Sequence, residues 1–320
     1  LRIDKYLMAK IGHASRNRVQ NSARAGNILV NDKPVKPNHK IRPLDVISIV
    51  LAYPPRDTEV QPEHLPLNIL YEDEEVLVVN KPAGMVVHPG HGNFTGTLLN
   101  GLVYHFQHAE QNKGKELSPF LVHRIDKDTS GILLVAKNEM AQTRLAKQFF
   151  NHTIDRKYVA LVWGDPSEDT GTIEGFIGRD ERDRLVMRIY EEEDEKGRHS
   201  VTHYRVLERF GYVTLVECKL ETGRTHQIRA HFRHIGHPLF NDEKYGGDKI
   251  LKGTTFTKYR QFVENCFRIL PRQALHAQSL GFVHPTTSAP MHFDSPLPPD
   301  FSELVDKWRK YSIHQKTARE

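Results

Sequence analysis

His123-Arg124-Ile125-Asp126-Lys127-Asp128-Thr129-Ser130-Gly131 lies between two apolar runs, Phe120-Leu121-Val122 before it and Ile132-Leu133-Leu134-Val135-Ala136 after it. Short apolar runs bounded by turn residues read as buried strands. The turn between these two carries an arginine, two carboxylates, two hydroxyls and a glycine. A purely structural turn can use such residues, with Asp128 or Thr129 bonding local backbone and Gly131 supplying positive φ. Charged groups held at a loop end between two buried strands also fit a site built on a rigid scaffold.

The string resembles the signature of the RluA/RluD family of RNA pseudouridine synthases, His-Arg-(Leu/Ile)-Asp-x-x-Thr-Ser-Gly-(Leu/Ile). Residues His123 to Ile132 match it without a mismatch. Other strings of the same family flank it: Lys81-Pro82-Ala83-Gly84-Met85-Val86-Val87-His88 upstream, then Lys157-Tyr158, Thr222-Gly223-Arg224-Thr225-His226-Gln227-Ile228-Arg229 and Leu275-His276-Ala277 downstream. The resemblance implies that Asp126 is the catalytic carboxylate and that Arg124 displaces the target base. A carboxylate that must stay ionised in a dry pocket needs a counter-charge. The family's partner falls on Arg229, and a bidentate pair would orient the carboxylate. Tyr158 would offer an aromatic face for the base and a hydroxyl for proton transfer. His123, Thr129, Gln227 and Leu275 are expected to contact the substrate on the same resemblance.

Pseudouridine formation breaks the bond between ribose and the uracil nitrogen, rotates the base and joins a ring carbon to the same ribose. Nothing is added or lost, so no organic cofactor and no metal are expected. One ionised carboxylate can attack ribose or help to form a glycal-type intermediate, and the residues alone leave both routes open. A second carboxylate that activates water would suit a glycoside hydrolase. An isomerase must avoid that water, so Asp128 is assigned to the turn. His226, His231, His234 and His237 cluster in sequence, but their spacing does not put all four on one helical face, and metal helices use His at i and i+4.

The chain of 320 residues suits two domains. No run approaches the ~18 apolar residues of a membrane span, and no signal peptide is visible at Leu1. Cys218 and Cys266 form no spaced pair, which argues against a disulfide framework and a thiolate metal site. A cytoplasmic monomer is the expectation. Residues 1–50 hold ten Lys and Arg against three acids, a net of seven positive charges in a chain whose total is +5. A compact basic head on a near-neutral body suggests phosphate contact.

That head reads as helix, helix and small strands. Ile3, Leu7, Met8 and Ile11 have helical spacing. Ser15 is a good cap for a second helix, about Arg16 to Ala25, closed by Gly26. Ile28-Leu29-Val30 and Asp45-Val46-Ile47-Ser48-Ile49 read as strands. The order, and the string Arg24-Ala25-Gly26-Asn27-Ile28-Leu29-Val30-Asn31, resemble the ribosomal S-four-type RNA-binding module, which implies RNA contact through Arg16, Arg18, Arg24 and Lys33. The expected domains are 1–52 for this module, 53–66 for a proline-rich linker and 67–320 for the catalytic domain.

In the catalytic domain, helices are expected near 98–106, 139–151, 258–266 and 301–311, with another opening in the string Thr222 to His231 and running to about Ile235, and strands near 154–163, 200–206, 213–220, 275–283 and 291–293. Residues 179–200 are strongly charged, and Glu191 to Glu195 reads as a solvated hairpin tip. Many strands with few helices argue an α+β fold. The resemblance implies a mixed, mostly antiparallel β-sheet with flanking helices, beside a small α/β N-terminal domain. The function expected is isomerisation of uridine in RNA, with large-subunit ribosomal RNA as the substrate. Its rivals are a catalytically silent RNA-binding factor in ribosome assembly and, more distantly, a metal-dependent nuclease.

Overall fold

A computed structural model describes residues 1–11, 16–24, 26–49, 60–90, 92–109, 112, 118–190 and 197–317. Ser15, the acidic run 191–195, the first part of the expected linker and the side chain of Arg18 lie outside the described residues. The chain divides into two compact units, Leu1–Glu59 and Val60–Glu320.

The small unit contains α1 (Ile3–Lys10), α2 (Arg16–Arg24), β1 (Ile28–Val30), β2 (Lys33–Pro34) and β3 (Ile47–Ile49), with strand order β2-β1-β3. Asn31 and Asp32 both have positive φ, 49° and 63°. Two such residues form the turn whose twist matches that of paired strands. Ile3, Leu7, Val19, Ala23, Ile28 and Val30 form its core. Arg16, Arg24 and Lys33 remain exposed.

The large unit is organised on an eleven-stranded sheet. In chain order its elements are β4 (Asn68–Glu72), β5 (Val76–Lys81), α3 (Leu98–His108), β6 (Phe120–Leu121), β7 (Ser130–Ala136), α4 (Glu139–Phe150), β8 (Asp155–Trp163), β9 (Thr170–Arg179), β10 (Met187–Tyr190), β11 (Gly197–Arg209), β12 (Val213–Leu220), α5 (Gln227–His234), α6 (Thr257–Ile269), β13 (Leu275–Val283), β14 (Pro290–Asp294) and α7 (Pro299–Thr317). The strand order is β10-β9-β11-β12-β8-β13-β7-β5-β4, with β14 beside β13 and β6 beside β7. β13 runs parallel to β7, and the other pairings are antiparallel. The fold is therefore α+β with a mixed, mostly antiparallel sheet.

Side-chain alternation explains why helices cover both faces. Leu133 and Val135 of β7 and Tyr158, Ala160 and Val162 of β8 join one core with α3 and α5. The intervening Ile132, Leu134 and Ala136 pack with α4, and Val159, Leu161 and Trp163 pack with α6 and α7. Both faces are buried, so the central strands read as continuous apolar runs rather than alternating ones.

Several expectations need correction. The strand before the turn at 123–131 ends at Leu121, not Val122. Two strands, β9 and β10, fall in regions where none was expected. β9 carries three glycines, which weaken any strand signal. Two of them lie close under a neighbouring side chain: a Cβ on Gly171 would lie 2.5 Å from the Tyr204 ring, and one on Gly175 would lie 2.4 Å from Ile189. The end of the expected linker is bonded to the large unit. Asn100 donates to the Gln61 carbonyl at 2.8 Å, and the Gly96 N–H donates to the Glu63 carboxylate at 3.0 Å.

Candidate active site

The turn at residues 123–129 lies where β7 changes partners. Leu121 pairs with Val135 on one side of the gap, and Ala277 of β13 pairs with Gly131 on the other. Gly131 is required at the second crossing: a Cβ there would lie 2.2 Å from the Ala277 carbonyl oxygen, and its φ is +118°. Between these pairings the backbone of β7 is open to the loop. His123 covers it, its Nε2 accepting the Leu134 N–H at 2.9 Å. This bond anchors the loop one residue before Arg124 and three before Asp126.

The loop forms one wall of a cavity of about 510 Å3. Asp126, Tyr158 and Arg229 all line it, as do His123, Arg124, Thr129, Gln227 and Leu275. One loop, two strands and one helix N-terminus thus bring together the residues expected from the sequence to form the site. Arg124 is exposed, and Tyr158 is buried. Burial raises the pKa of the Tyr158 phenol, and the Asp126 charge adds to the rise against the opposing effect of Arg156. Tyr158 is therefore a neutral phenol at pH 7.

Arg229 donates to Asp126 Oδ2 from Nη1 at 2.9 Å. The bidentate fork expected for this pair is made instead with Asp242. Nε and Nη2 of Arg229 donate to the two Asp242 oxygens at 2.7 and 2.8 Å. Asp242 is almost completely buried and Asp126 only partly, with side-chain exposures of 1% and 19%. Burial opposes the Arg229 charge, but the Asp242 bonds and the Asp126 carboxylate outweigh it and raise its pKa above the usual guanidinium range. Asp242 locks the guanidinium, and the third contact holds the Asp126 carboxylate.

His226 stands at the left-handed position before α5, with φ 53°. Its Nδ1 is 3.0 Å from the Tyr245 hydroxyl, and its Nε2 is 3.9 Å from Asp126 Oδ2. Burial lowers its pKa despite the Asp126 charge. Tyr245 also carries the Arg229 guanidinium 4.9 Å above its ring centroid, and the Met187 N–H donates to its hydroxyl at 2.9 Å.

Lys81 supports the turn from behind. Its Nζ donates to the carbonyls of Pro82, Met85 and Lys127 at 2.7, 2.8 and 3.0 Å. Burial pushes its pKa down to about 7, against the pull of Asp128 and Asp126. Three carbonyl acceptors match the three donors of an ammonium. The side chain ties the Lys81-Pro82-Ala83-Gly84 turn to the residue after Asp126.

Gln227 lies in the cavity wall, but its amide is fully engaged inside the protein. Its Oε1 accepts from the Thr222 hydroxyl and the Arg224 N–H, and its Nε2 donates to the Val201 carbonyl and the Thr202 hydroxyl. These bonds shape the turn before α5. Buried Thr129 has its hydroxyl 3.4 Å from Gln273 Nε2. The clustered histidines have separate partners: His231 with Thr202 and Ser200, and His237 with the Trp163 carbonyl. Among the described residues, no group of three or more His, Cys, Asp or Glu is arranged to hold a metal ion.

Sequence reasoning gave no role to Asp242, Tyr245, Lys81 or Arg156. Lys81 stood in a recognised string. Asp242 and Tyr245, in Asn241-Asp242-Glu243-Lys244-Tyr245, were not singled out, because nothing local says that they reach Arg229.

Comparison with known proteins places this site in a family. The model of the RNA pseudouridylate synthase family matches residues 75–234, and that of the S4 domain matches residues 1–47. A Bacillus subtilis protein described as an uncharacterised RNA pseudouridine synthase is 47% identical over 97% of this chain and 94% of its own length. The ribosomal large subunit pseudouridine synthase D of Zymomonas mobilis is 41% identical over 95% of this chain and 92% of its own. Among solved structures, human RNA pseudouridylate synthase domain containing 1 superposes with a TM-score of 0.55 at 28% identity, covering 77% of this chain and 96% of that one.

Proposed function

The chain belongs to the RNA pseudouridylate synthase family and isomerises uridine in RNA to pseudouridine, and on that premise we propose that its substrate is large-subunit ribosomal RNA and that Asp126 performs the chemistry. The substrate reading is supported by the relative from Zymomonas mobilis, which is named for the ribosomal large subunit and matches nearly end to end. The catalytic reading is carried by one observation. Asp126 stands in the cavity wall with its Oδ2 held 2.9 Å from a guanidinium that a second, buried carboxylate locks in place.

The geometry suits the reaction. The glycosidic bond to the uracil nitrogen must break while the ribose gains cationic character, and a fixed anion beside it stabilises that charge. Attack on ribose and the glycal-type route use the same ionised carboxylate. Tyr158 lies in the same wall and presents a neutral hydroxyl and a ring face to the detached base. The target uridine must first leave its stack, at a cost of a few kcal/mol. Exposed Arg124, two residues before Asp126, is placed to fill the gap, since a guanidinium stacks on bases. One copy of the chain supplies all of these groups, and we take it as a monomer. No helix among the described residues is long and apolar enough to cross a membrane, and we place the enzyme in the cytoplasm with its RNA. The substrate reading is tested by mapping pseudouridines in ribosomal RNA from cells with and without this protein. Loss of specific pseudouridines from the large-subunit RNA supports it; an unchanged map sinks it.

The basic small unit is proposed to hold RNA phosphates through Arg16, Arg18, Arg24 and Lys33. Removing residues 1–59 is expected to leave a folded large unit, because that unit has its own sheet and cores. RNA affinity should fall, and the salt dependence should flatten by about 0.9 per lost contact on duplex and 0.7 on single strands. Binding titrations at several salt concentrations measure this. An unchanged slope would mean that the small unit does not touch phosphates.

A further inference from the structure

Arg156 opens β8 two residues before Tyr158 and lines the same cavity. Its relative exposure is 7%. Among the described residues no carboxylate pairs with it, and its Nε is buried without an acceptor. A buried guanidinium without a counter-ion is costly unless something supplies one. The contact it does make is with the Phe149 ring, 5.3 Å from its centroid, and a cation–π contact does not replace a lost hydration shell. The fold nevertheless makes room for the charge: a Cβ on Gly223 would lie 2.9 Å from Arg156 Nη1.

A second unmatched donor sits beside it. The His123 ring stacks on the same Phe149 at 4.8 Å. Its Nε2 accepts the Leu134 N–H, so the proton of the neutral ring is on Nδ1, and Nδ1 is buried with no partner. Burial and then the Arg156 charge push the His123 pKa down to about 3, which keeps the ring neutral. The cavity's other buried cation, Arg229, is already matched by Asp242 and Asp126.

We infer that Arg156, with the Nδ1–H of His123, forms a subsite for one backbone phosphodiester next to the target uridine, which the anionic RNA fills on binding. A planar guanidinium fits a phosphate with two parallel bonds, and the phosphate supplies the counter-charge that the free protein lacks. Seating it fixes the ribose relative to Asp126, so the subsite aligns the reacting nucleotide as well as adding affinity. The inference rests on the synthase reading of this cavity.

The test uses a stem–loop RNA that the wild-type enzyme modifies, so failure of the synthase reading would show first, as no turnover of native RNA. Each phosphate within two of the modified uridine is then replaced singly by a neutral methylphosphonate. One replacement is expected to lower wild-type kcat/KM by about ten- to a hundredfold, the value of a hydrogen bond to a charged group. Arg156→Gln should lose a similar factor on native RNA and little more on that one neutral RNA. Arg156→Lys, which keeps the charge without the fork, should fall between and serves if the Gln variant does not fold. If wild type tolerates every neutral phosphate, the inference fails without recourse to a variant. It fails equally if the variants lose the same factor on every RNA, since Arg156 would then serve the base or the fold.

Discussion

Asp126→Asn is expected to lower single-turnover pseudouridine formation by at least about a thousandfold, the scale of losing a group that acts directly on the reacting atoms. RNA affinity should change by less than about threefold, because phosphate contacts carry most of it. Asn keeps the shape, and its oxygen can still accept from Arg229 Nη1 at the position now 2.9 Å away. What it removes is the negative charge. The fold should survive, because Arg229 keeps its fork to Asp242. Turnover, a binding titration and a thermal melt on the same preparation separate the three effects. Turnover within tenfold of wild type would remove Asp126 from the chemistry, whatever its position in the family string.

Arg229→Leu is expected to cost about 3–5 kcal/mol of stability, as well as turnover, because it leaves a buried carboxylate unpaired. That carboxylate is Asp242, whose side chain is 1% exposed. Asp126 contributes less to this penalty, being 19% exposed and able to meet water. The double variant Arg229→Leu/Asp242→Leu should recover most of the lost stability, since replacing both partners of a buried pair by apolar groups is often close to neutral. It should not recover turnover, since Asp126 has still lost its counter-charge. Urea unfolding of the four proteins in the cycle gives the coupling energy. A single variant as stable as wild type, or a double variant that sums the two losses, would mean that the Arg229–Asp242 fork is not the anchor described above.

The two outcomes bear on what could be read before the fold was known. Asp126 was identifiable from ten consecutive residues, and Arg229 from eight. Their pairing was anticipated too, but its geometry was not. The fork belongs to Asp242, in a stretch that carries no pattern of its own. Gln227, given a substrate contact by its place in the string, proves to be held by four internal bonds. Arg156 stands in the family's Arg-Lys-Tyr string beside Tyr158 but is given no role by it, because burial without a partner is not a property of residue type.

Local physics accounts for what the sequence determined by itself. A hydrophobic run, a glycine where the chain must pass a neighbouring backbone, and a string of turn residues act over a few positions. They placed the strands around the turn at 123–131, the helix near 98–106 and the basic head. They failed at β9, where glycines that make room for Tyr204 and Ile189 erased the strand signal. Tertiary structure alone decided which charges meet. Arg229 reaches Asp126 across 103 residues of chain, and Lys81 reaches the carbonyl of Lys127 across 46. Those contacts follow from the order of strands in one sheet and from which side chains it buries. An ion pair's strength and partner depend on that burial, and burial is a property of the packed chain, not of any segment in it.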